Sequence, residues 1–97
     1  MNTLIVVATF QARPGKETAL REALLGLVAP TLREQGCQGY SYHVAAGSPG
    51  KFLSYETWAS QADFDAHMKS PHVAALIPRV GELCTEFPQI TVWEKIG

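Results

Sequence analysis

Two segments of the sequence carry large apolar side chains on both of their alternating faces, and this property limits the fold more than any other feature. Residues 3–12 read Thr-Leu-Ile-Val-Val-Ala-Thr-Phe-Gln-Ala, and a strand that is apolar on both faces is usually buried on both. Residues 51–58 also predict a strand. Its faces carry Phe52, Ser54, Glu56, Trp58 and Leu53, Tyr55, Thr57. A fold that contains these strands must cover both faces of the sheet.

An amphipathic helix is predicted from Glu17 to about Glu34, because apolar side chains recur there at three- and four-residue steps. Pro30 should kink this helix, since its ring clashes with the carbonyl of Gly26 four residues earlier. Gly36 stands where a helix end favours a left-handed residue. The apolar stripe consists of Leu20, Leu24, Leu27 and Thr31, with Ala23 and Val28 beside them.

A second helical region begins after the strand 51–58. Ser60 is the predicted N-cap, because its hydroxyl can accept from a free backbone N–H of the first turn. Ser70-Pro71 restarts the helix, with proline at the first helical position. Pro78 should bend it at Ala74. Phe87-Pro88 ends the region.

The remaining segments complete a β-α-β-β-α-β order. Residues 38–46 alternate weakly and predict a strand, the sequence Gly-Ser-Pro-Gly at 47–50 predicts a hairpin connection, and residues 89–96 predict a last strand. This order is that of the ferredoxin-like α+β fold, a four-stranded antiparallel sheet with two helices on one face. Residues 1–97 are expected to form a single domain of this kind.

The second face of the sheet needs another cover, because two helices shelter only one face. Apolar residues make up 46% of the chain and charged residues 18%, against roughly 25% charged in an average domain. A second sheet from an identical subunit is the simplest cover, so a homodimer is predicted. The alternative is a monomer whose outer face merely tolerates exposed apolar side chains.

Several functional classes are disfavoured by charge and spacing. The formal net charge is −1 and the eight basic residues are scattered, which argues against nucleic-acid binding. The longest fully apolar run, Leu4 to Ala8, is too short for a membrane span or a signal peptide, so a cytoplasmic location is predicted. The histidines lack metal-binding spacing, no metal site is expected, and Cys37 and Cys84 are interpreted as small buried hydrophobes.

Candidate catalytic side chains concentrate after the third strand. Trp58 ends that strand and His67 follows on the next helix, which packs back over the sheet, so both side chains can reach one cavity. Histidine there could accept or donate a proton, although it could instead pair with Asp63 four residues earlier. Trp58 could be core. Glu56 is either an enclosed base or a partner of a basic neighbour, and His72 could be a surface residue.

The pattern resembles the antibiotic biosynthesis monooxygenase family of dimeric α+β barrels, especially its small quinol-monooxygenase-like members. The resemblance covers nearly the whole chain, and its last motifs are the most specific. It rests on Arg13-Pro14-Gly15-Lys16, Pro30-Thr31, Gly36-Cys37 with Tyr40, Tyr55-Glu56-x-Trp58, His67 and Ser70-Pro71-His72.

This resemblance implies oxygenation of quinols, phenols or polycyclic aromatics with O₂ as co-substrate and without flavin, haem or metal. The protein would supply a base, an apolar enclosure and a dipole for the anion. By analogy His67 takes the phenolic proton, Trp58 lines and orients the ring, and Glu56 is a further catalytic candidate. The substrate-binding candidates are Phe10, Tyr42, Tyr55, Phe64, Met68 and His72.

Two other functions stay open. Haem-degrading relatives carry an asparagine near the position of Ala8, so haem degradation is not expected. Isomerases of phosphorylated signalling sugars share the Tyr-Glu and His-x-x-x-Pro-His features, and here only Arg13, Lys69 or Arg79 could hold the phosphate. A non-catalytic binding dimer would fill the pocket with its own side chains. An open apolar pocket would favour oxygenation.

Overall fold

A computed structural model describes residues 3–97 of the chain. Its helices and strands follow the predicted order, with each helical region divided into shorter pieces. The elements are β1 (Leu4–Gln11), α1 (Glu17–Leu25), α2 (Val28–Leu32), β2 (Cys37–Ala45), β3 (Ser48–Trp58), α3 (Gln61–Met68), α4 (Pro71–Leu76), a 3₁₀ turn (Ile77–Arg79), α5 (Val80–Leu83) and β4 (Gln89–Glu94). No helix within residues 3–97 is both long and apolar enough to cross a membrane.

The four strands form one antiparallel sheet in the order β2-β3-β1-β4. The centre of the sheet is occupied by β1, which was predicted to be buried on both faces, and by β3, which carries aromatic side chains on both faces. Residue Ala8 pairs with Ser54 on one side and with Ile90 on the other, so these three side chains share a face. The predicted α+β ferredoxin-like arrangement is confirmed.

The inner face of the sheet packs against the helices. The side chains that form this core come from β1, β3 and both helical regions, and the predicted stripe of the first helix is buried within it. The largest fully buried side chains include Trp58, Leu20, Leu24 and Leu83. Burial of an aliphatic or aromatic side chain contributes about 1.5–3 kcal/mol, so this layer provides most of the stability of the domain.

The first helical region kinks where proline was expected to distort it. Helix α1 ends at Leu25 and α2 starts at Val28, while the intervening Gly26 and Leu27 keep right-handed helical angles. Pro30 lacks the N–H that would bond the Gly26 carbonyl. Gly36 adopts φ +82°, which confirms the predicted left-handed end of the region.

In the second helical region the predicted caps are present but the predicted bend is displaced. The Asp63 N–H donates to Ser60 Oγ at 3.2 Å, and the Val73 N–H donates to Ser70 Oγ at 3.4 Å. The bend expected at Ala74 is instead a 3₁₀ turn at Ile77–Arg79. Pro78 fits the start of a new turn, because the first N–H groups of a helical turn have no partner within it.

The hairpin between β2 and β3 is shorter than predicted. The connection proposed for 47–50 is reduced to a turn at residues 46–47, and β3 begins at Ser48. Gly47 takes φ +76°, a conformation that glycine adopts without strain. The pairing register shifts between Val44 and Ala45, and this irregularity accommodates Pro49 within the strand.

The outer face of the sheet is not covered by the helices. Val7 pairs with Tyr55, and Ile5 pairs with Trp93, so these apolar side chains lie on the face opposite Ala8 and Ser54. Tyr55 is 45% exposed and Trp93 is 57% exposed. All six residues of β4 are exposed in the single subunit. The second face therefore presents the apolar surface that the sequence predicted.

Gly36 gives a test of this fold. Gly36 has a positive φ, and a Cβ added at this residue would also overlap the carboxyl group of Asp63. We expect Gly36→Ala to lower the free energy of unfolding by more than about 2 kcal/mol, since the left-handed backbone alone costs a non-glycine residue roughly 1–2 kcal/mol. Gly47→Ala is the matched control, because Gly47 has a positive φ and no atom near its missing Cβ. Urea unfolding of both variants measures the difference, and equal losses would contradict the predicted overlap.

Candidate active site

An open cavity lies between the inner face of the sheet and the helices. It holds about 550 Å³ of empty space, a volume that includes the solvent at its open mouth. Four polar side chains reach it: Tyr40, Tyr42, Glu56 and His67. The other lining residues are apolar: Val6, Ala8, Phe10, Leu27, Phe64, Met68, Val73, Leu76, Ile77, Val80, Phe87, Pro88 and Ile90.

His67 is the best-defined polar group of the cavity. It lies in the last turn of α3 and is only 3% exposed. Its Nδ1 is 2.7 Å from Glu34 Oε2, and its Nε2 is 4.0 Å from Glu56 Oε1. Because a carboxylate only accepts hydrogen bonds, Nδ1 carries the proton, and Nε2 of the neutral ring keeps its lone pair. His67 is therefore set up to accept a proton at Nε2.

Glu34 fixes this arrangement, and no local sequence pattern indicated its role. Its Oε2 accepts from His67 Nδ1 and from His72 Nε2, each at 2.7 Å. The pairing of His67 with Asp63, which the sequence left open, is not formed, since Asp63 accepts instead from the hydroxyl of Ser60 at 2.9 Å. Glu34 lies 33 residues before His67, so only the folded chain brings the two together.

Glu56 lies on the inner face of β3 and is 4% exposed. Its Oε2 accepts from Ser54 Oγ at 2.7 Å, and its Oε1 accepts from Trp58 Nε1 at 3.1 Å. Burial raises the pKa of the Glu56 carboxyl and outweighs the two hydrogen bonds, which lower it. This is the enclosed position that the sequence left open as one of two possibilities. No basic Lys or Arg side chain pairs with Glu56 in the described part of the chain.

Trp58 contacts two residues of the site, His67 and Glu56. It is 0% exposed and is not among the residues that line the cavity of the single subunit. The expected role of Trp58 in lining and orienting a substrate ring stays a prediction. Its ring packs 4.8 Å from that of His67, and its indole N–H holds Glu56. The inner-face position was readable from strand alternation, but the depth of burial was not.

Two tyrosines add a polar pair to the cavity wall. The hydroxyl groups of Tyr40 and Tyr42 are 2.7 Å apart. Burial raises the pKa of each phenol well above its ordinary value, and the neighbouring tyrosine adds to the effect at Tyr40. Both therefore stay protonated near neutral pH. One hydroxyl donates to the other, and the second keeps its hydrogen for another acceptor. Tyr42 was predicted as a wall residue, whereas Tyr40 was not assigned to the site.

The other substrate-binding candidates divide into two groups. Phe10, Phe64 and Met68 line the cavity together with Tyr42, as expected. Tyr55 does not, because its position on β3 turns it to the outer face of the sheet. His72 also lies outside the cavity lining; its Nε2 bonds Glu34, and its ring centroid is 6.0 Å from that of His67. The structure therefore does not place these two side chains in the cavity wall of the single subunit, and their roles in substrate binding stay predictions.

The sequence model of the antibiotic biosynthesis monooxygenase family matches residues 3–79. The chain belongs to this family. A protein of Mycobacterium tuberculosis named "Putative monooxygenase Rv0793" is 36% identical over 87 residues, which cover 90% of this chain and 85% of the relative. The Escherichia coli protein named "Probable quinol monooxygenase YgiN" is 34% identical over 82 residues, covering 74% of this chain and 79% of that protein. These relatives support a monooxygenase-type activity.

Solved structures agree with the antibiotic biosynthesis monooxygenase fold. The Rv0793 structure from M. tuberculosis superposes with a TM-score of 0.92 at 33% identity, over 98% of this chain and 96% of the other. PA3566 from Pseudomonas aeruginosa gives a TM-score of 0.95 at 27% identity, over 100% of this chain and 97% of the other.

Within this family member, one set of side chains has the composition of a metal site. The ligand atoms of Glu34, His67 and His72 all lie within 4.8 Å of one another. No metal site was predicted from the spacing of the histidines, and Glu34 was not considered as a possible ligand in that prediction. The two cysteines are free, and burial raises the pKa of both thiols. A thiol with a raised pKa is a poor nucleophile, which agrees with the interpretation of both cysteines as small apolar side chains.

Proposed function

We propose that the protein is a cofactor-independent monooxygenase that oxidises quinols or related phenols with O₂. The observation that carries this proposal is the position of His67, a proton-accepting Nε2 within an open and almost wholly apolar cavity. An electron-rich phenol that has lost its proton can pass an electron to O₂ directly. The protein then has to bind the ring, remove the proton and exclude water.

The overall reaction needs no further reductant. A quinol and O₂ give a hydroxyquinone and water, so one oxygen atom enters the ring and the other leaves as water. His67 Nε2 accepts the phenolic proton, and the Glu34 carboxylate on the opposite side of the ring stabilises the imidazolium that forms. The hydroxyls of Tyr40 and Tyr42 supply the dipole that steadies the phenolate.

The cavity does not favour the phosphosugar isomerase. Such a substrate needs a cationic side chain near its phosphate, and neither lysine nor arginine is among the residues that line the cavity in the described chain. Arg13, one of the proposed phosphate ligands, instead donates to the carbonyl of Gly81 at 2.9 Å. The cavity is also open, which does not fit a binding module closed by its own side chains.

Oxygen uptake tests the proposal. The purified protein, freed of metal by a chelator and shown to lack bound flavin, is incubated with a panel of hydroquinones in an oxygen electrode. Consumption of O₂ above the rate of spontaneous oxidation supports the proposal. A rate equal to that of a heat-denatured sample for every member of the panel contradicts it.

The outer face of the sheet supports a homodimer as the working form, which we also propose. Its apolar side chains, among them Val7, Tyr55 and Trp93, form a continuous surface by strand pairing, and surfaces of this kind commonly mark interfaces. The same sheet of a second subunit could cover this surface, because stacked sheets pack face to face about 10 Å apart.

Introducing a charge on this surface should separate the subunits. We expect Tyr55→Glu to run as a monomer at micromolar concentration in light-scattering chromatography, because burying an unpaired carboxylate in an apolar interface is costly. Leu25→Glu is the control, because Leu25 is 52% exposed but lies on α1, and this variant should stay dimeric. A wild-type protein that runs as a monomer would contradict the dimer.

A further inference from the structure

We propose that Glu34, His67 and His72 form a binding site for a divalent transition-metal ion, zinc(II) in particular. The three residues come from separate elements, the end of the first helical region, α3 and α4, yet their ligand atoms converge. Glu34 Oε2 lies 2.7 Å from His67 Nδ1 and 2.7 Å from His72 Nε2. No pair among the three ligand atoms is more than 4.8 Å apart.

The ligand set and its spacing suit zinc. Two imidazole nitrogens and one carboxylate oxygen are a common zinc set that leaves a fourth position for water. With zinc–ligand bonds of about 2.0–2.1 Å, the ligands of a tetrahedral site lie about 3.3 Å apart. Both Glu34 distances are shorter than this value, and the two histidine nitrogens lie up to 4.8 Å apart. The ion would therefore enter if the two rings moved toward each other and the Glu34 carboxylate moved away from them.

The surroundings hold the ligands in place while leaving a path from solvent. The His67 side chain is 3% exposed, whereas Glu34 and His72 are 16% and 19% exposed. His72 lies in the capped first turn of α4, and the Glu34 carbonyl accepts from the Cys37 N–H at 3.2 Å. The second ring nitrogen of His67 lies 4.0 Å from Glu56 Oε1. A small approach of the two groups would form the hydrogen bond to a carboxylate that commonly orients metal-bound histidines.

Metal binding would change the proton position on His67. Each neutral ring keeps one proton, and coordination at Nδ1 of His67 moves that proton to Nε2, while coordination at Nε2 of His72 moves its proton to Nδ1. Nε2 of His67 then becomes a donor toward Glu56 and no longer accepts a proton from the cavity. This consequence rests on the proposed function, and it makes the ion an inhibitor of quinol oxidation.

Direct binding tests the site without any assay of turnover. Titration of the chelator-treated protein with Co²⁺ should give the intense visible bands of a tetrahedral site at one ion per chain, and Zn²⁺ should displace it. Glu34→Gln and His72→Gln, which preserve side-chain size, should weaken binding at least tenfold. His43→Ala is the control, because His43 is exposed and bonds Ser41, and it should bind as the wild type does.

The outcomes are distinguishable. No spectral change on adding Co²⁺, or unchanged binding by both folded variants, overturns the metal site. Binding that is lost in His43→Ala assigns the ion to another position and also overturns it. Saturable metal binding by a protein whose metal-free form oxidises no quinol would contradict the proposed function and leave the metal site supported. Binding accompanied by loss of quinol oxidation supports both.

Discussion

Quinol oxidation by the His67→Ala variant should fall by ~10²-fold or more, the usual contribution of a general base. His67 is the base candidate among the described residues that line the cavity, because Tyr40 and Tyr42 hold their protons and Glu56 already accepts two hydrogen bonds. Its Nε2 keeps a lone pair because the ring proton stays on Nδ1, which donates a hydrogen bond to Glu34 Oε2. The loss should appear in kcat, measured by oxygen uptake with the best quinol of the panel.

The controls for this variant separate chemistry from folding. His43→Ala removes an exposed histidine from β2 and should leave kcat unchanged. Glu34→Gln retains His67 but replaces the carboxylate that steadies its charged form, so kcat should fall in a folded protein. Circular dichroism and the thermal midpoint check each fold. Turnover by His67→Ala at the wild-type rate would end the assignment of His67 as the base.

Trp58→Ala should lower the free energy of unfolding by about 3–5 kcal/mol, the usual cost of removing a fully buried large aromatic side chain. Trp58 is 0% exposed and packs against Phe64 and His67. The truncation also removes the N–H donated to Glu56. For a domain of this size such a loss is a large part of the total stability. Denaturant unfolding with a shared m-value measures it.

Two further variants serve as comparisons for Trp58→Ala. Trp58→Phe keeps most of the ring and removes the N–H, so it should cost less than Trp58→Ala. Leu25→Ala truncates a side chain that is 52% exposed and should stay within about 0.5 kcal/mol of the wild type. A loss for Trp58→Ala as small as that of Leu25→Ala would show that Trp58 does not support the core.

Much of the fold followed from local patterns in the sequence. The apolar stripe of the first helix, the caps at Ser60 and Ser70 and the positive φ at Gly36 each depend on a few neighbouring residues, so the sequence was enough to predict them. The bend near Pro78 was displaced, because proline can either kink a helix or start a new turn. Packing decides between these two outcomes.

The site was predictable only in part. Strand alternation places Glu56 on the inner face and Tyr55 on the outer one, and this alternation argued against Tyr55 as a wall residue. Glu34 was missed because nothing near it in the sequence marks a contact 33 residues away. Phe87 and Pro88 were missed as wall residues for a similar reason, since they lie in an irregular segment, which has no periodic pattern to show which side chains face the cavity.

The division of the second helical region has a consequence for how a ligand reaches the cavity. Pieces of four to eight residues are far below the roughly 12–15 residues at which an isolated helix becomes even marginally stable. Each is held mainly by the side chains it buries, and several of those side chains also form the cavity wall. These short helices can therefore open one at a time while the sheet stays folded. A bound aromatic ring would stabilise them by contacting the side chains that line the cavity.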